Sequence, residues 1–188
     1  MSPLSAECSA EPSDQLVALA LGSNLGDRLG HLKTSLRRLR ESGFRIEALS
    51  SIYETPPIGY LDQPPFLNGV VVGWTSLAPL GLLARCRDLE KAAGRDRSVP
   101  QGPRTLDVDV VFFKDQIIRV PGLRVPHPRW KERSFVVRPL AAISPYLRDP
   151  ETGWQVHEVA RYWPMEPEEI QIVSSPEALR EALEEWKK

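Results

Sequence analysis

The chain has 188 residues, a length that suits one domain with a short appendage and can bury a core without disulfides. Lys plus Arg number 24 and Asp plus Glu 25, a formal net charge of −1, which excludes bulk electrostatic coating of nucleic acid or anionic membrane. Eighteen of the 24 basic residues are Arg, the side chain suited to bidentate phosphate recognition, so their placement matters more than their sum. The 18 prolines imply long ordered loops and argue against an all-helical bundle.

Met1 to Asp14 lacks a basic start and an apolar run, and reads as a disordered tail that is not a signal peptide. Gln15 to about residue 160 reads as the domain, and 161–188 as an extension ending in an amphipathic helix. Leu16 to Leu21 is a short apolar run ending at Gly22, as a buried strand would be. Gly22 to Asp27 then reads as a tight strand-to-helix turn. Leu29, Leu32, Leu36 and Leu39 form the stripe of a helix, with Asp27 as N-cap and Gly43 as its stop. Phe44 to Tyr53 reads as a strand, and the prolines from Pro56 to Pro65 frame a stiff loop.

Phe66 to Thr75 is a second strand. Ser76 is placed to cap a helix carrying Leu80, Leu83, Cys86, Leu89 and Ala93, with Gly94 at its end. Arg95 to Arg104 reads as a long loop and Leu106 to Phe113 as a third strong strand. Ile117 to Val120 suggests a hairpin arm, Pro121 to Pro128 an irregular stretch, and Arg129 to Leu140 a short helix. Ser175-Pro176 opens a last helix with Leu179, Ala182, Leu183 and Trp186 on one face. The order strand, helix, strand, strand, helix, strand predicts an α+β fold, a ferredoxin-like βαββαβ core whose antiparallel sheet is backed by helices.

The strongest chemical signal is Gly102 to Val110. Alternation along a strand puts Asp107 and Asp109 on one face, with carboxylates about 7 Å apart, and Leu106, Val108 and Val110 on the other. Adjacent anions call for a cation, and Mg²⁺ takes carboxylate oxygens while keeping positions for phosphate. The plainer interpretation is two solvated charges on an exposed strand. Context favours chemistry: Arg95, Arg97 and Arg104 precede the pair, and His127 and Arg133 follow it, which together describe a polyphosphate-transfer site. No Gly-x-x-x-x-Gly-Lys-Ser/Thr loop occurs, nor any zinc-protease or serine-hydrolase motif. Cys8 and Cys86 are too few for a disulfide framework and read as reduced thiols of a cytoplasmic protein.

Several stretches together resemble the 6-hydroxymethyl-7,8-dihydropterin pyrophosphokinase family of folate biosynthesis. They are Ala20 to Leu25, Ser51 to Ile58, Asp62 to Asn68, Gly102 to Asp109, and Val125-Pro126-His127 followed by Arg133 and Phe135. The resemblance implies that ATP, as co-substrate, gives its β,γ-pyrophosphate to the hydroxymethyl group of the pterin and releases AMP. It implies two Mg²⁺ ions on Asp107 and Asp109, with Arg95 and Arg104 serving the transferring phosphates and Arg97 in the same mobile lid. It also implies ATP contacts from His127 and Arg133, and pterin stacking between Phe66 and Phe135. Asn68, with Thr55 and the backbone near Pro57 and Ile58, would pair with the ring's polar edge. An aromatic sandwich suits a flat ring, and an amide can both donate and accept. The loop from Arg95 to Arg104 departs from the best-known bacterial pattern: it is one residue shorter, and Pro100 and Gln101 stand where that pattern has a basic residue and Trp. ATP and the pterin are the expected partners, with no nucleic acid, no membrane and a monomer as the default. Two rivals carry less. An RNA-binding module would not put Asp107 and Asp109 on its sheet, and a nucleotide-sugar transferase has no use for Phe66, Asn68 and Phe135.

Overall fold

The computed structural model describes residues 14–96, 102–163 and 171–185. Strand β1 (Gln15–Ser23) leads into helix α1 (Arg28–Glu41), then β2 (Arg45–Leu49), β3 (Ile52–Thr55) and the long β4 (Phe66–Thr75). Helix α2 (Pro79–Ala92) returns the chain to β5 (Asp107–Phe113). The sheet runs β5-β1-β4-β3 with every pairing antiparallel, and β2 also pairs with β4. This is the expected ferredoxin-like βαββαβ core in an α+β protein.

Local chemistry explains the elements. The Asp27 carboxylate accepts from the Gly30 N–H at 3.0 Å and starts α1, and Gly43 at φ +88° ends it just beyond Ser42. Along β1, Val17, Leu19 and Leu21 pack against α1 and α2, whereas Ala18 faces the other side of the sheet. The expected single strand from Phe44 to Tyr53 is broken in two. At the break the Val70 N–H donates to the Ser50 hydroxyl (2.9 Å), and the Ser50 N–H donates to the Val70 carbonyl (3.0 Å).

Helix α2 also departs from expectation. It begins at Pro79 behind Ala78, and Ser76 does not cap it; proline suits a first turn whose N–H groups have no helical partner. Its buried stripe is Leu82, Cys86, Leu89 and Glu90, while Leu80 is 56% exposed. Each step of three residues lags a full turn by about 60°, so the run from Leu80 to Leu89 wraps around the helix rather than marking one face.

A hairpin follows, β6 (Ile118–Val120) with β7 (Leu123–Val125), so part of the stretch expected to be irregular is a strand. The helix expected over 129–140 divides at Arg133 into a 3₁₀ turn (Trp130–Glu132) and α3 (Ser134–Ile143). Arg133 has extended backbone, which frees its side chain from the helix. Helix α3 and the unanticipated α4 (Val156–Ala160) cover the second face of the sheet with Val136, Val137, Leu140, Val156 and Val159. The sheet is therefore covered on both faces, and a cavity on it remains at Asp107 and Asp109.

Strand β8 (Gln171–Ser174) adds to the edge of β3, and α5 (Pro176–Glu185) packs Leu179 and Leu183 into the core shared with α1. Trp186, the tail up to Ser13, and the loop residues Arg97, Pro100 and Gln101 lie outside the described residues. Among the described residues no helix is long and apolar enough to cross a membrane.

Candidate active site

At this cavity the sheet carries one row of three residues. Gly22 of β1 pairs with Asn68 of β4 on one side and with Asp107 of β5 on the other. Two residues along, Ala20 pairs with Asp109. The expected shared face of the two aspartates is what this register produces.

The cations around them are closer than sequence spacing alone suggests. Arg95 Nη1 lies 2.5 Å from Asp107 Oδ1, and Arg104 Nε lies 3.0 Å from Asp107 Oδ2. Arg133 Nη1 donates to Asp109 Oδ2 at 2.8 Å, and His127 Nε2 is 3.8 Å from the same oxygen. The two carboxylates are thus each ion-paired and partly buried, with side chains 19% and 33% exposed, rather than solvated. Burial pushes the His127 imidazole below its ordinary value; Asp109 opposes this, and Arg133 and Arg129 reinforce it. His127 Nδ1 accepts from the Arg129 N–H at 3.2 Å, which suits a neutral ring whose Nε2–H faces Asp109.

Three residues that sequence reasoning passed over hold this arrangement. Glu90, buried in α2, pairs with Arg95, and its Oε1 accepts from the Val108 N–H at 3.0 Å. One carboxylate therefore anchors Arg95 and satisfies an edge-strand amide beside Asp107. The signal was present in the sequence, since Glu90 follows Leu82 and Cys86 at steps of four on the buried stripe. Asn24, also buried, binds the backbone of Arg104 and of Pro64. Gly22 lies inside β1, not in the turn expected from Gly22 to Asp27.

Next to the acidic pair is the aromatic pocket. Asn68 and Thr55 are both buried, and Asn68 Nδ2 donates to Thr55 Oγ1 at 2.7 Å. Phe66 lies under the Arg104 guanidinium (4.9 Å to the ring centre) and Phe135 near that of Arg133 (5.7 Å). One cavity of about 410 Å³ is lined by Thr55, Ile58, Phe66, Asn68 and Phe135 together with both aspartates, His127 and Arg95, Arg104, Arg129 and Arg133. Pro57 is not on that wall; its neighbours Pro56 and Ile58 are. A wider groove of about 600 Å³ between α1, β2 and α5 contains none of these residues. Among the described residues no cluster of three His, Cys, Asp or Glu side chains could hold a metal by itself. Any ion here would take two carboxylates and complete its shell from water or ligand oxygens, the usual habit of Mg²⁺.

Fold and site together define a ferredoxin-like α+β protein with an arginine-flanked acidic pair beside an amide-bearing aromatic pocket. The chain belongs to the 7,8-dihydro-6-hydroxymethylpterin-pyrophosphokinase (HPPK) family, whose pattern it matches over residues 18–145. It is 41% identical over 152 residues to a 2-amino-4-hydroxy-6-hydroxymethyldihydropteridine pyrophosphokinase of Bacillus subtilis, covering 80% of this chain and 91% of that one. It is likewise 39% identical over 146 residues to the folic acid synthesis protein fol1 of Schizosaccharomyces pombe, covering 77% of this chain. The chain spans about a fifth of the length of that fungal relative. Among solved structures, Plasmodium falciparum HPPK-DHPS with pteroate is similar in fold, with a TM-score of 0.65 at 16% identity, over 82% of this chain and 43% of that one.

Proposed function

We propose that the protein transfers pyrophosphate from ATP to the hydroxymethyl group of 6-hydroxymethyl-7,8-dihydropterin, giving the pterin diphosphate and AMP in folate biosynthesis. The observation that carries this reading is the single cavity in which Asn68 and Thr55 face the same space as Asp107 and Asp109. The pterin hydroxyl oxygen attacks the β-phosphorus of ATP. The bond from that phosphorus to the α,β-bridging oxygen breaks, AMP leaves, and the hydroxyl proton is released.

The contacts around the cavity support the following roles. Phe66 and Phe135 stack on the ring, and the Asn68 amide, Thr55 and the backbone near Ile58 meet its polar edge. Asp107 and Asp109 would hold two Mg²⁺ ions, which when bound neutralise charge on the transferring group. Arg95 and Arg104 exchange their carboxylate partners for phosphate oxygens, a substitution that suits the guanidinium fork. His127, Arg133 and Arg97 bind ATP. Residues 15–160 form the chemical unit, in a cytoplasmic setting in keeping with the free thiol of Cys86.

Incubation with ATP, Mg²⁺ and the reduced pterin tests the reading. AMP and pterin diphosphate should appear in equal amounts and only when all three are present. Formation of ADP, or of AMP without pterin, would overturn it.

A further inference from the structure

Gly22 has no backbone reason to be glycine. It is the next-to-last residue of β1, paired with a strand on either side, and is not among the glycines with positive φ. Glycine in a strand weakens it, and such a position commonly marks close approach by a ligand or another chain segment. The space around Gly22 is what is unusual. A Cβ there would come 2.8 Å from Asn68 Oδ1 and 3.8 Å from both Asp107 Cβ and Phe66 Cδ1. Asn68 is not free to swing away, because it is buried and its amide donates to Thr55. With strands about 4.8 Å apart, the amide-bearing and carboxylate-bearing residues stand about 10 Å apart at Cα, with only backbone between them.

We propose that Gly22 is a specificity-determining residue: its missing side chain is the floor over which the substrate ring spans from Asn68 to Asp107. Any side chain at this position splits the trough into an amide half and a carboxylate half. The ring's hydroxymethyl substituent then cannot reach the acidic pair while its polar edge holds Asn68. The inference rests on the pterin reading of the site and adds where on the sheet the ring lies.

The test uses the full chain and its Gly22→Ala variant, with calorimetric titration of 6-hydroxymethylpterin in the presence of Mg²⁺ and α,β-methylene-ATP. The variant should bind the pterin about tenfold or more weakly, the scale of one methyl group against a fitted pocket. Its affinity for the ATP analogue should be unchanged. A folded variant with wild-type pterin affinity overturns the proposal. Should the variant not fold, the wild-type complex decides: nuclear Overhauser contacts are expected between the Gly22 Hα protons and the pterin methylene. A saturated wild-type complex without them overturns this inference alone. A wild-type protein that binds no pterin overturns the functional reading as well.

Discussion

Asn24 and Arg104 hold each other by two hydrogen bonds. The Asn24 Oδ1 accepts from the Arg104 N–H at 2.7 Å, and the Asn24 N–H donates to the Arg104 carbonyl at 3.0 Å. The Asn24 amide then reaches the other way, donating to Gln63 Oε1 at 3.0 Å and to the Pro64 carbonyl at 3.1 Å. One buried side chain therefore ties the start of the acidic strand to the proline-framed loop that borders the aromatic pocket. Asn24→Ala should cost about 1–3 kcal/mol of stability, because it strands buried backbone groups. Both substrates' KM values should rise, since both walls loosen. Thermal unfolding and steady-state kinetics check this; a change confined to one substrate would speak against a shared tie.

Asp107→Ala and Asp109→Ala should each lower turnover by at least about 100-fold, the scale of losing one fixed electrostatic partner of the transferring group. Sequence alone suggests that such variants relieve repulsion between exposed anions. The ion pairs with Arg95, Arg104 and Arg133 reverse that expectation, so modest destabilisation should accompany the loss. Folding should persist, because Glu90 still faces Arg95. Circular dichroism with a pyrophosphoryl-transfer assay separates the two effects.

Glu90→Gln keeps an acceptor for the Val108 N–H and removes the charge that faces Arg95. Turnover should fall about 10- to 100-fold, as expected when a reacting-group partner is misplaced by about 1 Å. Pterin affinity should hold, since Glu90 is not on the cavity wall. A parallel loss of pterin binding would assign Glu90 a general structural role instead.

Away from the site, the buried Asp149 should set part of the acid limit of stability. Burial pushes its carboxyl up, but bonds from Lys131, the Glu151 N–H and the Thr152 hydroxyl outweigh this and hold it below the ordinary value. A depressed folded value means that the unfolded chain binds the proton more readily. The contribution is complete above the ordinary carboxylate value near 3.8 and is lost as pH falls through the lower folded value. The stability gap between wild type and Asp149→Asn should therefore be flat above about pH 5 and shrink below about pH 4. Urea titrations across that range measure it.

Cys86 should resist thiol reagents in the native protein. Burial, with the Glu90 and Asp109 charges, pushes its thiol up to about 12, so little thiolate exists at neutral pH. Labelling at Cys86, located by peptide mapping so that Cys8 is counted separately, should appear only with denaturant, in step with global unfolding; rapid native labelling of Cys86 would show that α2 opens locally.

The elements legible in the sequence were those whose residues carry a long period or a terminal signal. β4 begins and ends where the run from Phe66 to Thr75 does, and α1 is framed by Asp27 and Gly43. The acidic pair was legible because two residues on one strand share a face whatever surrounds them. What escaped depends on contacts between distant segments. The arginines' pairing with Asp107 requires the return of α2, Glu90 gains its role from β5, and Gly22 from strands on both sides of it. In α2, apolar residues at steps of three suggest a face, but the buried stripe is Leu82, Cys86, Leu89 and Glu90.

Strand β8 has a consequence for the protein's behaviour in solution. Without it, Tyr53 and Glu54 would present unpaired backbone groups along an open edge beside Thr55, a template for pairing with another chain. β8 moves that edge outward to the four residues Gln171–Ser174, too brief a strand to recruit a neighbour well. The same segment anchors itself through Leu179 and Leu183 of α5, so its grip does not depend on the strand alone. Removal of residues 171–185 would thus be felt first as stickiness and a slackened Thr55 wall, at a point far along the sequence from the deletion.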